Sequence, residues 1–241
     1  MNVHLADTTD IERIAGLIAR AFHPLAVARW LVPDEIERMR LFPEYFAMLI
    51  EHAVQHGLIH TTPDRDAVAI WLPHTDGPPA APPDYDQRLT EVSGAWRDRF
   101  LAFDALLEEH HPSRPHHYLA FLAVRPDRQG RGLGTMLLNH HHAHLDQTGL
   151  PAYLEASSRT SRALYLRQGY QPHGHPLILP NGPLLWPLLR EPGNPPDPRW
   201  LNQADPGARP GRAMEVNHDY ATHRAASRWR GPRGRPAHGL P

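Results

Sequence analysis

The chain has 241 residues, enough for one large domain or a medium domain with appendages, and a single core is the default at that length. A net charge of −1 excludes the overall pull towards nucleic acid or anionic membrane that a basic domain exerts, and so points to a small-molecule partner. The absence of cysteine excludes a disulfide framework, a thiolate metal site and a cysteine nucleophile.

The first residues, MNVHLADTTDIERIAGLIARAF, carry acids early and have neither a basic n-region nor a continuous apolar h-region. No stretch approaches the roughly 18 apolar residues of a membrane span, so a soluble, cytoplasmic protein without membrane or nucleic-acid partners is expected. Residues 8–22 predict an amphipathic helix: Thr9 or Asp10 supplies an N-cap, and Ile11, Ile14, Leu17, Ile18 and Phe22 follow at helical spacing. A second helix is expected after Pro33 through Ile36, Met39 and Leu41, and a third over 44–56 through Phe46, Leu49, Ile50 and Val54. Residues 58–61 and 67–72 read as strands joined by a turn at Pro63 and Asp64.

Residues 73–83 are too rich in proline to hold either periodicity and form a loop. Helical spacing returns over 89–109 through Val92, Trp96, Phe100, Phe103 and Leu106 or Leu107. The order then becomes strand (118–124), helix (134–148), strand (152–156) and helix (161–168) closed by Gly169. Beyond about residue 192, Pro and Gly punctuate a segment of weak periodicity with five arginines between 224 and 235. This predicts one domain over 1–190 and a loosely attached tail over 191–241.

The chemistry lies in VRPDRQGRGLGT, residues 124–135. Glycines at 130, 132 and 134 let the backbone approach a ligand closely, and the helix starting near Gly134 turns its unpaired N–H groups into the same loop. Such a loop binds phosphate, with Arg128 and Arg131 as added charge. An ATP-type P-loop is excluded because the chain has no lysine, and strictly alternating glycines do not match a dinucleotide fingerprint.

Gln129-Gly130-Arg131-Gly132-Leu133-Gly134 resembles the Q/R-x-x-G-x-G/A motif of the GNAT superfamily of acetyl-CoA-dependent N-acetyltransferases, and LEASSRTSRALYLRQGY (154–170) resembles that superfamily's next strand and helix. Within it, AVAIWLP (67–73), FLAVRPDRQGRGLG and LEASS are similar to the puromycin N-acetyltransferase type. The resemblance spans roughly residues 5–190 and implies an α/β fold. The sheet would be mixed and largely antiparallel, of about six or seven strands, with helices on both faces and a splayed central pair.

The implied reaction is direct transfer of acetyl from acetyl-CoA to a primary amine of a small molecule, such as an antibiotic or biosynthetic amine. A protein amine and a non-catalytic acyl-CoA sensor are the alternatives. The implied coenzyme contacts are Leu122, Ala123, Val124, Gln129, Gly130, Arg131, Gly132, Leu133, Gly134, Thr135, Ser158 and Tyr165, with the N–H of Ala123 or Val124 on the thioester oxygen. Tyr165 matches the tyrosine that protonates the departing thiolate. Ser158 stands where many relatives have asparagine, a shorter reach. Glu155, His116 and His117 are the candidate bases, unranked by the residues themselves.

His140, His141, His142 and His144 cluster on one helix, with His140 and His144 at ligand spacing. No third carboxylate or cysteine ligand is apparent nearby and the reaction needs no metal, so none is expected. The acceptor pocket is placed among Phe22, His23, Trp30, Tyr45 and Tyr85, and the enzyme is expected to be a monomer or homodimer.

Overall fold

The computed structural model describes residues 2–77 and 81–193; most of the expected tail, from 194 onward, lies outside them. In chain order the elements are β1 (His4–Leu5), α1 (Ile11–Phe22), α2 (Ala26–Leu31), α3 (Glu35–His56), β2 (Leu58–Thr61) and β3 (Ala67–His74). They continue with α4 (Tyr85–Ser93), α5 (Arg97–His110), β4 (His116–Val124), α6 (Leu133–Thr148) and β5 (Ala152–Ala156). The last are α7 (Arg159–Arg167), β6 (Gln171–Pro172), β7 (Leu177–Ile178) and β8 (Leu184–Arg190).

The strands lie in the order β1-β2-β3-β4-β5-β8-β6, with β7 hairpinned on β8, and every pairing is antiparallel except β4 with β5. This is the mixed, largely antiparallel sheet that the resemblance implies, with eight strands, of which β1, β6 and β7 are two-residue pieces. The strand AVAIWL is apolar throughout because both faces of the sheet are covered. Val68 and Ile70 join the core under α1 to α5, while Ala67, Ala69 and Trp71 join the core under α6 and α7.

β4 and β5 pair only at His117 with Ala152 and Tyr118 with Tyr153. Past that point the two strands part, and the β5-facing edge of β4 has no strand partner. The β3–β4 register also slips: Ile70 pairs with Phe121 but Trp71 pairs with Leu119, so Ala120 is a bulge. Leu119 therefore packs on the α6 side, and Phe121 and Ala123 pack on the α1 side.

Several local expectations are corrected. The two helices expected between Pro33 and His56 are one, α3, with Pro43 inside it. Its start is fixed by Asp34, whose carboxylate accepts the Glu37 N–H at 2.8 Å. Ile36 and Met39 are 78% and 63% exposed and do not belong to the core. The helix expected over 89–109 is broken by Gly94 at φ +52°, a conformation that favours glycine. At the first helix Asp7 caps the entry turn, accepting the Thr9 N–H at 2.8 Å, and the Asp10 carboxylate instead holds Arg65 at 2.8 and 3.1 Å.

Candidate active site

The loop between β4 and α6 takes the form its glycines require. Gly130 and Gly132 sit at φ +72° and +79°, where a side chain is strained, and a Cβ built on either meets no atom within 4 Å. The α6 ladder begins with the Met136 N–H on the Gly132 carbonyl at 2.9 Å, so the N–H groups of Leu133, Gly134 and Thr135 carry no helical bond. An open cradle of alternating positive-φ glycines at a helix start fits an anionic pyrophosphate.

Around it, the Gln129 amide donates to the Val124 carbonyl at 3.2 Å. Arg125 joins Asp66 at 2.7 Å and Asp127 at 2.6 Å, and Arg128 lies 3.4 Å from Asp66. Arg131 is exposed and has no carboxylate partner among the described residues.

The gap between the splayed strands opens into a cavity of about 540 Å³. One wall includes Leu122, Ala123, Val124, Ser158 and Tyr165, and Glu155 lies on the same surface. Its far wall is apolar and aromatic, from Phe22, Phe42, Tyr45, Phe46, Tyr85, Phe103 and Phe121. Phe22, Phe46 and Phe121 form an edge-to-face cluster at 5.4 to 5.9 Å. The loop residues 129–135 are not part of this wall.

Tyr165 is buried on α7 with its ring 5.7 Å from Tyr170, and burial pushes its phenol pKa up, so it stays protonated. Ser158 is the N-cap of α7, its Oγ accepting the Ser161 N–H at 3.0 Å while the Ser161 hydroxyl accepts the Ser158 N–H at 3.2 Å. That hydroxyl holds the helix that carries Tyr165.

Strand alternation separates the three candidate bases. Glu155 faces the cavity, and burial pushes its pKa up to about 7 although the hydroxyls of Tyr153 and Tyr118 partly oppose the shift. His117 points to the opposite face, where its Nδ1 meets His141 Nε2 at 3.0 Å. His116 is fully buried and bonded to His111, Nε2 to Nε2 at 3.0 Å.

Of the expected acceptor residues, Phe22, Tyr45 and Tyr85 line the cavity. Trp30 and His23 do not: the Trp30 indole donates to the Pro180 carbonyl at 2.9 Å and packs on Gly182, and His23 pairs with Glu35 at 3.4 Å. Residues the sequence reading missed include Tyr118, His111 and His74 in the wall, and Asp104. Burial pushes the Asp104 pKa up to about 6, and Tyr85 donates to its carboxylate at 2.7 Å. Asp104 sits on an aromatic-rich helix, and no motif pointed to it.

Residues 71–170 match the model of the Acetyltransferase (GNAT) family, whose co-substrate is acetyl-CoA. An uncharacterized N-acetyltransferase of Schizosaccharomyces pombe is 25% identical over 68% of this chain and 72% of its own. The solved histone acetyltransferase HPA2 and related acetyltransferase from Corynebacterium glutamicum is 26% identical with a TM-score of 0.60, over 80% of this chain and 97% of that one. Arylalkylamine N-acetyltransferase 2 from Aedes aegypti shares the fold at 11% identity and a TM-score of 0.54, over 79% and 98%. The bulged strand, glycine loop, helix, strand and helix that build the site lie within the matched segment; the sheet and its helices form the GNAT fold, and the chain is an acyltransferase.

Proposed function

We propose that this enzyme moves an acetyl group from acetyl-CoA to the primary amine of a small molecule with an apolar, aromatic-compatible body. The observation that carries the reading is the single cavity that joins the splayed edge of β4 to an aromatic wall. A polar amine such as a polyamine would leave most of that wall unmatched, whereas an apolar body gains about 25 cal/mol per Å² buried. The resemblance of residues 67–73, 121–134 and 154–158 to the puromycin N-acetyltransferase type also favours a small acceptor.

The residues divide the work as follows. Gly130, Gly132 and the start of α6 hold the pyrophosphate, with Arg131 adding charge. The unpaired edge of β4 holds the amide-rich arm, and the N–H of Ala123 or Val124 polarises the thioester carbonyl. The amine nitrogen attacks that carbonyl carbon, and the carbon–sulfur bond breaks. The leaving sulfur takes its proton from the Tyr165 hydroxyl, and Glu155, on the same cavity surface, takes the proton the nitrogen sheds. No covalent enzyme intermediate is involved.

The test is coenzyme binding and thiol release with a panel of amines from polyamines to arylalkylamines, comparing the native chain with Gly132→Trp and Tyr165→Phe. Thiol release that favours apolar amines, binding lost in Gly132→Trp and kcat lowered in Tyr165→Phe support the reading. Preference for polyamines would overturn the acceptor class, and absence of coenzyme binding would overturn the whole assignment.

A further inference from the structure

His74, His111 and His116 come from three segments: the end of β3, the α5–β4 connection and the start of β4. Antiparallel register sets His74 opposite His116, and the connection folds His111 over both, with ring centroids 4.6 Å from His74 and 4.9 Å from His116. One nitrogen from each ring lies within 4.8 Å of the other two.

The His116 Nδ1–H donates to the Arg114 carbonyl at 2.8 Å, so the lone pair on Nε2 is aimed at His111 Nε2, 3.0 Å away. A backbone carbonyl on the far nitrogen is the outer contact that fixes the tautomer of a metal-binding histidine.

A fourth group points at the trio. The Glu155 side chain is 3% exposed, and its Oε1, which has no hydrogen-bond partner, lies 4.0 Å from His111 Nδ1. A carboxylate on the outer nitrogen of a ligating imidazole orients the ring and raises its basicity, so Glu155 stands to His111 Nδ1 as the Arg114 carbonyl stands to His116 Nδ1.

We propose that His74, His111 and His116 bind a divalent transition ion of the zinc type in the wall of the acceptor cavity, with the Glu155 carboxylate behind the outer nitrogen of His111. Imidazole nitrogen selects zinc, cobalt, nickel or copper over magnesium and calcium, which take oxygen. Tetrahedral bonds of about 2.0–2.1 Å set ligand nitrogens roughly 3.3 Å apart, so the His111–His116 pair stands near its final spacing and His74 closes by side-chain rotation. His74, His111 and Glu155 line the cavity, which gives the ion its entry path.

The test uses the untagged full-length chain, stripped by chelator, titrated with Co²⁺ by visible absorption and with Zn²⁺ by calorimetry. One tight equivalent with tetrahedral cobalt bands is expected. His111→Phe, on a connecting segment, should weaken it at least about 100-fold, and Glu155→Gln about tenfold. A His140→Ala/His144→Ala double variant, which removes the histidine pair on the other face of the sheet, should leave it unchanged.

Absence of a tight equivalent would overturn the proposal, as would binding that survives His111→Phe or is lost in the double variant. Circular dichroism of each variant separates misfolding from ligand loss. Binding is read without turnover, so failure here leaves the acetyltransferase reading intact.

Discussion

Leu119 and Phe121 lie two positions apart on β4 yet pack on opposite faces of the sheet, Leu119 against the α6 side and Phe121 in the aromatic cluster under α1. Ala120 absorbs the difference as a bulge. Through it the strand gives Tyr118 and Phe121, three apart, to one cavity. Replacing Phe121 with Ala should raise the KM of apolar amines about tenfold or more while coenzyme affinity changes little, and isothermal titration alongside steady-state kinetics checks both.

Tyr165→Phe removes the one hydroxyl the reaction scheme asks to donate to sulfur. Its kcat should fall by about 10²- to 10⁴-fold, with the coenzyme Kd within a few-fold of native. An unchanged kcat would reduce Tyr165 to a packing residue.

Glu155 and His117 provide a paired comparison, since strand alternation puts them on opposite faces. Glu155→Gln keeps the shape and removes the proton acceptor, so kcat/KM should drop about 100-fold or more. His117→Gln should leave kcat/KM within a few-fold and lower the urea midpoint, because its ring serves the α6 interface. The opposite pattern would move the base to the other side of the sheet.

Trp30 fixes the 180–182 turn, with Arg99 5.6 Å over its ring. Trp30→Ala should cost about 2 kcal/mol of stability for a half-buried indole and leave the acceptor KM unchanged. Denaturant titration and kinetics on the same preparation separate the two effects.

His60 and His141 titrate against the fold. Their rings meet at 3.1 Å, His141 also meets His117 at 3.0 Å and stacks on Trp71 at 4.1 Å, and His140 and His144 flank the group. Burial, reinforced by the neighbouring histidines, pushes His60 down to about 4 and His141 to about 2. Below about pH 6.5 the unfolded chain binds protons that the folded chain refuses, so stability is lost as pH falls. The loss is up to about 1.4 kcal/mol per pH unit for each ring until the folded pKa is reached. The urea midpoint should fall between pH 7 and pH 5, and more shallowly in His141→Phe, which keeps the stack on Trp71.

The glycine loop and the elements around it were legible because local chemistry decides them: Gly130 and Gly132 need positive φ, and Gly169 follows the last turn of α7. The candidate site was less legible. Which of His116 and His117 faces the cavity depends on the phase of β4, and the metal-competent trio depends on a pairing between residues 42 positions apart, His74 with His116. The break expected between Leu41 and residue 44 does not occur, because Pro43 lies on an exposed face of α3 where the carbonyl that loses its donor can be solvated. Trp30 reads as a pocket residue by type alone, and only the long-range bond to Pro180 reassigns it.

Asp66 binds Arg125 and Arg128, and its carbonyl accepts the Arg125 N–H at 2.8 Å, so the turn before β3 holds the start of the glycine loop. Much of the conformational freedom of that loop is thus surrendered during folding and need not be given up again at the encounter with a nucleotide. Capture of the coenzyme should accordingly be quick and carry a small ordering entropy, leaving residence time to be governed by how readily the complex dissociates.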